Sequence, residues 1–202
     1  QRSRTIPSLL EECRQLLGQG ARELNLIAQD TSRYGLDLGD GSTLDELVRQ
    51  IDRLEGDFWV RVIYTHPRYV TEALIDALAA SPHVVPYLDI PLQHISEPVL
   101  KAMRRGLGGR ETRKLMERLR ERWPGVAVRT TFLVGFPGET EADFQELFDY
   151  VSEYRFDRLG AFAFSPRKAR PPPGSPQASS PRPWPRPGAM RSWRASRKSP
   201  RR

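Results

Sequence analysis

The chain holds a single cysteine, Cys13, so a disulfide framework, a thiolate zinc site and an iron–sulfur site made wholly from these residues are excluded. Long apolar runs are missing too. Nowhere do the roughly 20 apolar residues needed to span a bilayer occur, and Gln1-Arg2-Ser3-Arg4 leads into an amphipathic segment rather than a signal-peptide core. The expected setting is cytoplasmic, with no membrane partner. Acidic residues stop before Ser165: of the 32 Lys and Arg, eleven follow it and 21 precede it, against all 25 Asp and Glu. The first 165 residues are thus net acidic, and the basic isoelectric point belongs to the tail, which argues against a basic nucleic-acid-binding globule.

What is present is an alternation of strands and helices. Ile6, Leu9, Leu10, Cys13, Leu16 and Leu17 recur at helical spacing, and Gly18 and Gly20 end that helix. The run Glu23 to Ala28 reads as a strand, and Ser42-Thr43-Leu44-Asp45 opens a second helix with a capping-box pattern. Trp59 to Tyr64 and Val84 to Ile90 read as strands, each followed by a helix, Thr71 to Ala80 and Ser96 to Met103. A helix over about Arg110 to Trp123 precedes the longest strand, Val126 to Val134. Thr140-Glu141-Ala142-Asp143 then starts another helix with a capping box, and Phe156 to Phe164 makes a fifth strand.

Strands separated by helices, several of them reading as apolar on both faces, indicate a parallel sheet with crossover helices. A complete eight-unit barrel needs roughly 250 residues. The fold class is therefore α/β, a partial, open β/α barrel of about five strands over residues 1–165. From Pro166 onward hydrophobic periodicity is absent and proline, arginine and serine dominate, the composition of a disordered tail over residues 166–202. An arginine-rich arm of this kind also has the chemistry to grip RNA phosphates, with Trp184 and Trp193 available for stacking.

Ligands of parallel α/β folds bind at the carboxyl ends of the strands. There the chain offers Gln29-Asp30-Thr31, His66-Pro67, Gln93-His94 and Gly135-Phe136-Pro137-Gly138-Glu139. The last is a glycine-bearing turn into a helix, where backbone amides approach a ligand closely and the helix N-terminus favours anions. A purely structural βα turn has the same composition. Gln93 can read a nucleobase or carboxylate, and His94 can donate or accept. Arg129 and Thr131 alternate with Val128 and Thr130, so one polar set points into the barrel, where Arg129 either pairs with a ligand carboxylate or is neutralised by Asp89 or Glu139. Arg61 has the same two readings. Asp30 and Glu139 are either an acid/base pair or loop hydrogen-bonders. Cys13, on an apolar helix face, reads as a core residue.

Three longer segments carry a family resemblance: Gly20 to Thr31, Pro86-Tyr87-Leu88-Asp89-Ile90-Pro91-Leu92-Gln93-His94, and Arg129 to Thr140. With Tyr64-Thr65-His66-Pro67, Leu100 to Gly106 and Gly160 to Ser165, the chain resembles the radical S-adenosylmethionine methylthiotransferases over nearly all of residues 1–165. Ala28-Gln29-Asp30-Thr31 and Leu88 to His94 are similar to the branch that modifies an aspartate of a small-subunit ribosomal protein. The resemblance implies S-adenosylmethionine and a 4Fe-4S cluster as cofactors, hydrogen abstraction from the aspartate β-carbon and insertion of a methylthio group. It also implies cofactor contacts at Gln29, Asp30, Arg61, Gln93, His94, Arg129, Thr131, Gly135 and Glu139, and a small-subunit ribosomal protein as partner.

The family's CxxxCxxC motif, the strand leading into it and the flanking domains have no counterpart here. A fragment is therefore expected, without metal ligands of its own and inactive alone, with a tail that arises by a shift of reading frame. Two alternatives stay open: the tRNA-modifying branch of the family, and a non-catalytic module that binds ribosome or RNA through the basic tail.

Overall fold

A computed structural model describes residues 2–165. Helix α1 (Ile6–Gly18) begins with proline in its first turn and buries Leu10 and Cys13. Strand β1 (Glu23–Leu26) follows, then a 3-10 turn at Thr31–Arg33 and helix α2 (Leu44–Ile51). The Thr43 hydroxyl caps α2 by accepting the Glu46 N–H, and Leu44, Leu47, Val48 and Ile51 form its buried stripe.

Strand β2 (Trp59–Val62), a 3-10 turn at Pro67–Tyr69, helix α3 (Glu72–Ala80) and the short strand β3 (Tyr87–Asp89) repeat the unit. Helices α4 (Glu97–Ala102) and α5 (Gly109–Arg122) lead to β4 (Ala127–Val134), α6 (Glu141–Tyr154) and β5 (Arg158–Ala163). At α6 the capping box is reciprocal: Thr140 accepts from the Asp143 N–H, and the Asp143 carboxylate accepts from the Thr140 N–H.

All strand pairs are parallel. β1 pairs with β2, and β3, β4 and β5 pair in chain order. The two groups meet through one bridge, Val60 to Val84, and through the Thr65 N–H to the Asp89 carbonyl, at 3.0 Å. β2 and β3 are shorter than their apolar runs because the chain leaves extended pairing at this junction. Among the described residues no helix is long and apolar enough to cross a membrane.

One expectation needs correction. The strands are not apolar on both faces but alternate. Leu24, Val60, Val62, Leu88, Ile90, Val128, Phe132 and Val134 are buried in the hydrophobic core that also holds the helices' apolar stripes. The alternate positions, Glu23, Asn25, Arg61, Tyr87, Asp89, Arg129, Thr131 and Arg158, share the other face. Only one face is covered by crossover helices, so only that face has to be apolar. The tail reading over residues 166–202, with its RNA contact through Trp184 and Trp193, lies outside the described residues.

Candidate functional site

The loops at the carboxyl ends of the strands are stitched together. Ser32 joins the first two: its hydroxyl accepts the His66 N–H at 2.9 Å and donates to Asp30 Oδ1 at 2.6 Å. Thr31 ties the same loops from below, its N–H donating to the Tyr64 carbonyl and its hydroxyl to the Ile63 carbonyl. Asp89 holds the next junction, where the Thr65 hydroxyl donates to its carbonyl at 2.7 Å.

Gln93 is the conformational peculiarity of the site. Its φ is +72°, in the left-handed region that a residue with a Cβ enters at a cost. Two bonds to β4 hold it there: its N–H donates to the Thr131 carbonyl at 2.8 Å, and its carbonyl accepts from the Leu133 N–H at 2.7 Å. The backbone is thus fully engaged and the amide side chain is half-buried. The main chains of Thr131 and Gln93 are thus brought together, with Gly135 exposed at the end of the same strand.

Arg129 stands half exposed, its Nη1 3.6 Å from Oδ2 of the buried Asp89. That separation is an ion contact but too long for a hydrogen bond, so the guanidinium keeps its donors. Arg61 is more committed. It donates from Nε to Glu23 at 2.9 Å and lies 5.2 Å from the Tyr87 ring centroid, and this pairing pulls the Glu23 carboxyl below its usual range.

His94 and Glu139 are not on the mouth. His94 is fully buried, its Nδ1 accepting the Ser96 N–H at 3.0 Å. Its Nε2 faces Glu139, whose Oε2 accepts the Phe136 N–H at 3.0 Å. Both side chains therefore support the glycine turn from behind. Asp30 and Glu139 are each hydrogen-bonded within their own loop, Asp30 to the Ser32 hydroxyl and Glu139 to the Phe136 N–H. Gln29 is exposed on the loop after β1.

Arg105 was given no individual role by its sequence. Its Nη2 donates to the Pro91 carbonyl at 3.0 Å, while its Nε is buried without a partner. Burial pulls the guanidinium pKa down, and burial together with Arg105 pulls the neighbouring His66 down. The only signal for it was the Arg104-Arg105-Gly106 end of α4. An open cleft of about 730 Å³ lies elsewhere, lined by Arg14, Arg22, Arg53, Glu55 and Asp57. It sits at the amino-terminal ends of β1 and β2, where parallel folds do not place their ligands.

The chain matches the family model described as the Radical SAM superfamily over residues 1–151. It belongs to that superfamily. It is 48% identical over 177 residues to a protein of Opitutus terrae named ribosomal protein uS12 methylthiotransferase RimO, a match covering 81% of this chain and 38% of that one. To the RimO of Pelobacter propionicus it is 46% identical over 84% of this chain and 38% of the relative. The chain thus spans about two fifths of the length of these curated relatives. Among solved structures it is similar to Streptococcus suis SuiB bound to S-adenosylmethionine, with a TM-score of 0.55 and 16% identity over 84% of this chain and 36% of that chain. Coproporphyrinogen III oxidase (HemN) from Escherichia coli gives 0.50 and 18%, over 79% and 37%. These two likenesses establish the fold, a radical SAM β/α architecture.

The cofactors of the superfamily fit these residues unequally. The Arg129 guanidinium and the Thr131 hydroxyl on the open sheet face, on the strand that ends in an exposed glycine turn, suit the organic groups of S-adenosylmethionine. A 4Fe-4S cluster does not fit the donor set: among the described residues no three His, Cys, Asp or Glu side chains stand together. Cys13 is buried on α1, and burial raises its thiol pKa.

Proposed function

We propose that this chain is the barrel part, residues 1–165, of a methylthiotransferase that places a methylthio group on the β-carbon of an aspartate in ribosomal protein uS12. The observation that carries the reading is Gln93. Its backbone is held left-handed between Thr131 and Leu133 of β4, the strand that ends in the glycine turn, on a superfamily fold, in a chain 46–48% identical to RimO proteins over four fifths of its length.

In this reading S-adenosylmethionine supplies the radical chemistry when bound, and the chain's own residues bind and orient. The Gln93 amide and Thr131 hydroxyl meet polar groups of the nucleoside. The exposed backbone of Gly135 lets the ligand approach closely. Arg61 and Arg129 line the open face, and Asp30 and Arg105 fix the loops around it. His94 and Glu139 brace the turn and contact no ligand. Restraining the reacting carbons in one geometry is the protein's share of the rate enhancement.

The test uses the 202-residue chain, isotope-labelled, titrated with S-adenosylmethionine and separately with purified uS12. The expected result is amide shifts at Gln93, Thr131 and Gly135 to Glu139 with the first, and at the open face with the second. Silence at all of these residues with S-adenosylmethionine overturns the reading. A response to a tRNA anticodon stem-loop in place of uS12 reassigns the substrate to RNA.

A further inference from the structure

Residues paired in parallel register project to the same side of a sheet. On the open face the row Asp89, Arg129, Arg158 crosses three adjacent strands in register. Neighbouring strands lie about 4.8 Å apart, so Arg129 and Arg158 stand side by side as like charges, an arrangement that is destabilising by itself. Asp89 compensates only partly. It reaches Arg129 at 3.6 Å and accepts from the Tyr64 N–H at 3.4 Å. Arg158 is exposed, and among the described residues its side chain enters no ion pair and no hydrogen bond. The other carboxylate of this face, Glu23, is already taken by Arg61 and the Trp59 indole N–H.

Space stands next to the pair. One step further along both strands, in register, are Thr131 and Gly160. A Cβ built on Gly160 would meet only the Phe162 ring at 3.5 Å and the Thr131 hydroxyl at 3.9 Å, so the glycine leaves a gap the size of a small polar group. Phe162, 61% exposed, stands above it. The backbone of β4 is fixed at this level, the Thr131 carbonyl accepting the Gln93 N–H.

We propose that Arg129 and Arg158, with the Thr131 hydroxyl and the gap at Gly160, form a carboxylate-binding site on the open face. One carboxylate supplies the missing negative charge and accepts from two guanidiniums at once, the geometry in which arginine binds most strongly. The inference deepens the reading given under Proposed function, which brings two carboxylates to this face: the amino-acid carboxylate of S-adenosylmethionine and the side chain of the target aspartate.

The experiment follows the Nε–H resonances of Arg129 and Arg158 in the labelled 202-residue chain. The ligands are sodium acetate, acetyl-Gly-Asp-Gly-amide, acetyl-Gly-Asn-Gly-amide, S-adenosylmethionine and methylthioadenosine, with sodium chloride as the ionic-strength control. Acetate is expected to shift both resonances together and saturably, where chloride does not. A stronger response to the Asp than to the Asn peptide assigns the site to the target aspartate. A response to S-adenosylmethionine without one to methylthioadenosine assigns it to the cofactor's carboxylate. Arg158→Gln should weaken acetate binding about tenfold, whereas Arg158→Lys should retain part of it, and unchanged amide spectra elsewhere show that both variants remain folded. Identical responses to acetate and chloride, or full acetate affinity in Arg158→Gln, overturn the proposal. Because acetate is read apart from S-adenosylmethionine, a carboxylate site that fails leaves the cofactor reading standing, and the converse also holds.

Discussion

His94 Nε2 lies 3.8 Å from Glu139 Oε2 with both side chains removed from water. Since Nδ1 accepts the Ser96 N–H, the imidazole carries its proton on Nε2, and that N–H points at the carboxylate without reaching it. The loop after β3 and the turn after β4 are thus linked through a pair of buried groups.

Replacing His94 tests which half of that link matters to stability. Asn places a carbonyl oxygen where Nδ1 stands and keeps an acceptor for the Ser96 N–H, whereas Leu leaves that buried donor orphaned, at about 1–3 kcal/mol. In urea unfolding His94→Leu should therefore be the weaker protein. Equal midpoints for the two variants would show that Ser96 finds another acceptor.

A second prediction concerns acid. Hydrogen bonds from the hydroxyls of Ser96 and Thr140 and from the Thr140 N–H hold the Asp143 carboxyl down at about 2. A carboxyl depressed in the folded state adds stability that is complete above its ordinary value near 3.9 and disappears as pH falls toward its folded value. Denaturant midpoints should thus fall between pH 4 and pH 2. In Asp143→Asn that part of the profile flattens, and a slope as steep as in the parent would count against the assignment.

The capping box at α6 shows how far the sequence could be read. Thr140 and Asp143 at that spacing, just before an apolar period, specify a helix start by local chemistry alone, and the structure places it there. The five strands are legible as short apolar runs that alternate along the chain with helical periods. What local pattern does not contain is the side-chain pairing across the sheet. That Asp89 rather than Glu139 would stand by Arg129, and that Arg158 would stand on its other side, depends on residues 40 and 29 positions apart in the chain. Burial of His94 was equally hidden, because a histidine after a strand looks the same whether it turns toward the mouth or toward α6. Gln93 entered as a functional candidate, but its left-handed backbone arises from bonds to β4.

Cys13 should be nearly inert in the native chain. Burial and the neighbouring Glu12 raise its thiol pKa, so the thiolate that reacts with alkylating agents is scarce and covered. Iodoacetamide at pH 8 should label it slowly in buffer and rapidly in denaturant, at a native rate set by local opening. Fast native labelling would mean that α1 detaches readily from the core.

Gly109 offers the sharpest steric test near the site. It opens α5, and a Cβ at this position would stand 2.0 Å from the Ile95 carbonyl oxygen, a contact with backbone that no rotamer change relieves. The Ile95 carbonyl follows directly on Gln93-His94, so a methyl group there pushes on the loop that holds the left-handed residue. Gly109→Ala should lose about 1–3 kcal/mol by overpacking, more than any gain in helix propensity returns. It should also shift the amides of Gln93 to Ser96 while those of β1 and α2 stay in place. A variant as stable as the parent, with an unmoved Gln93, would show that α5 can back away from the loop, and that the close approach at Gly109 does not set the geometry of the site.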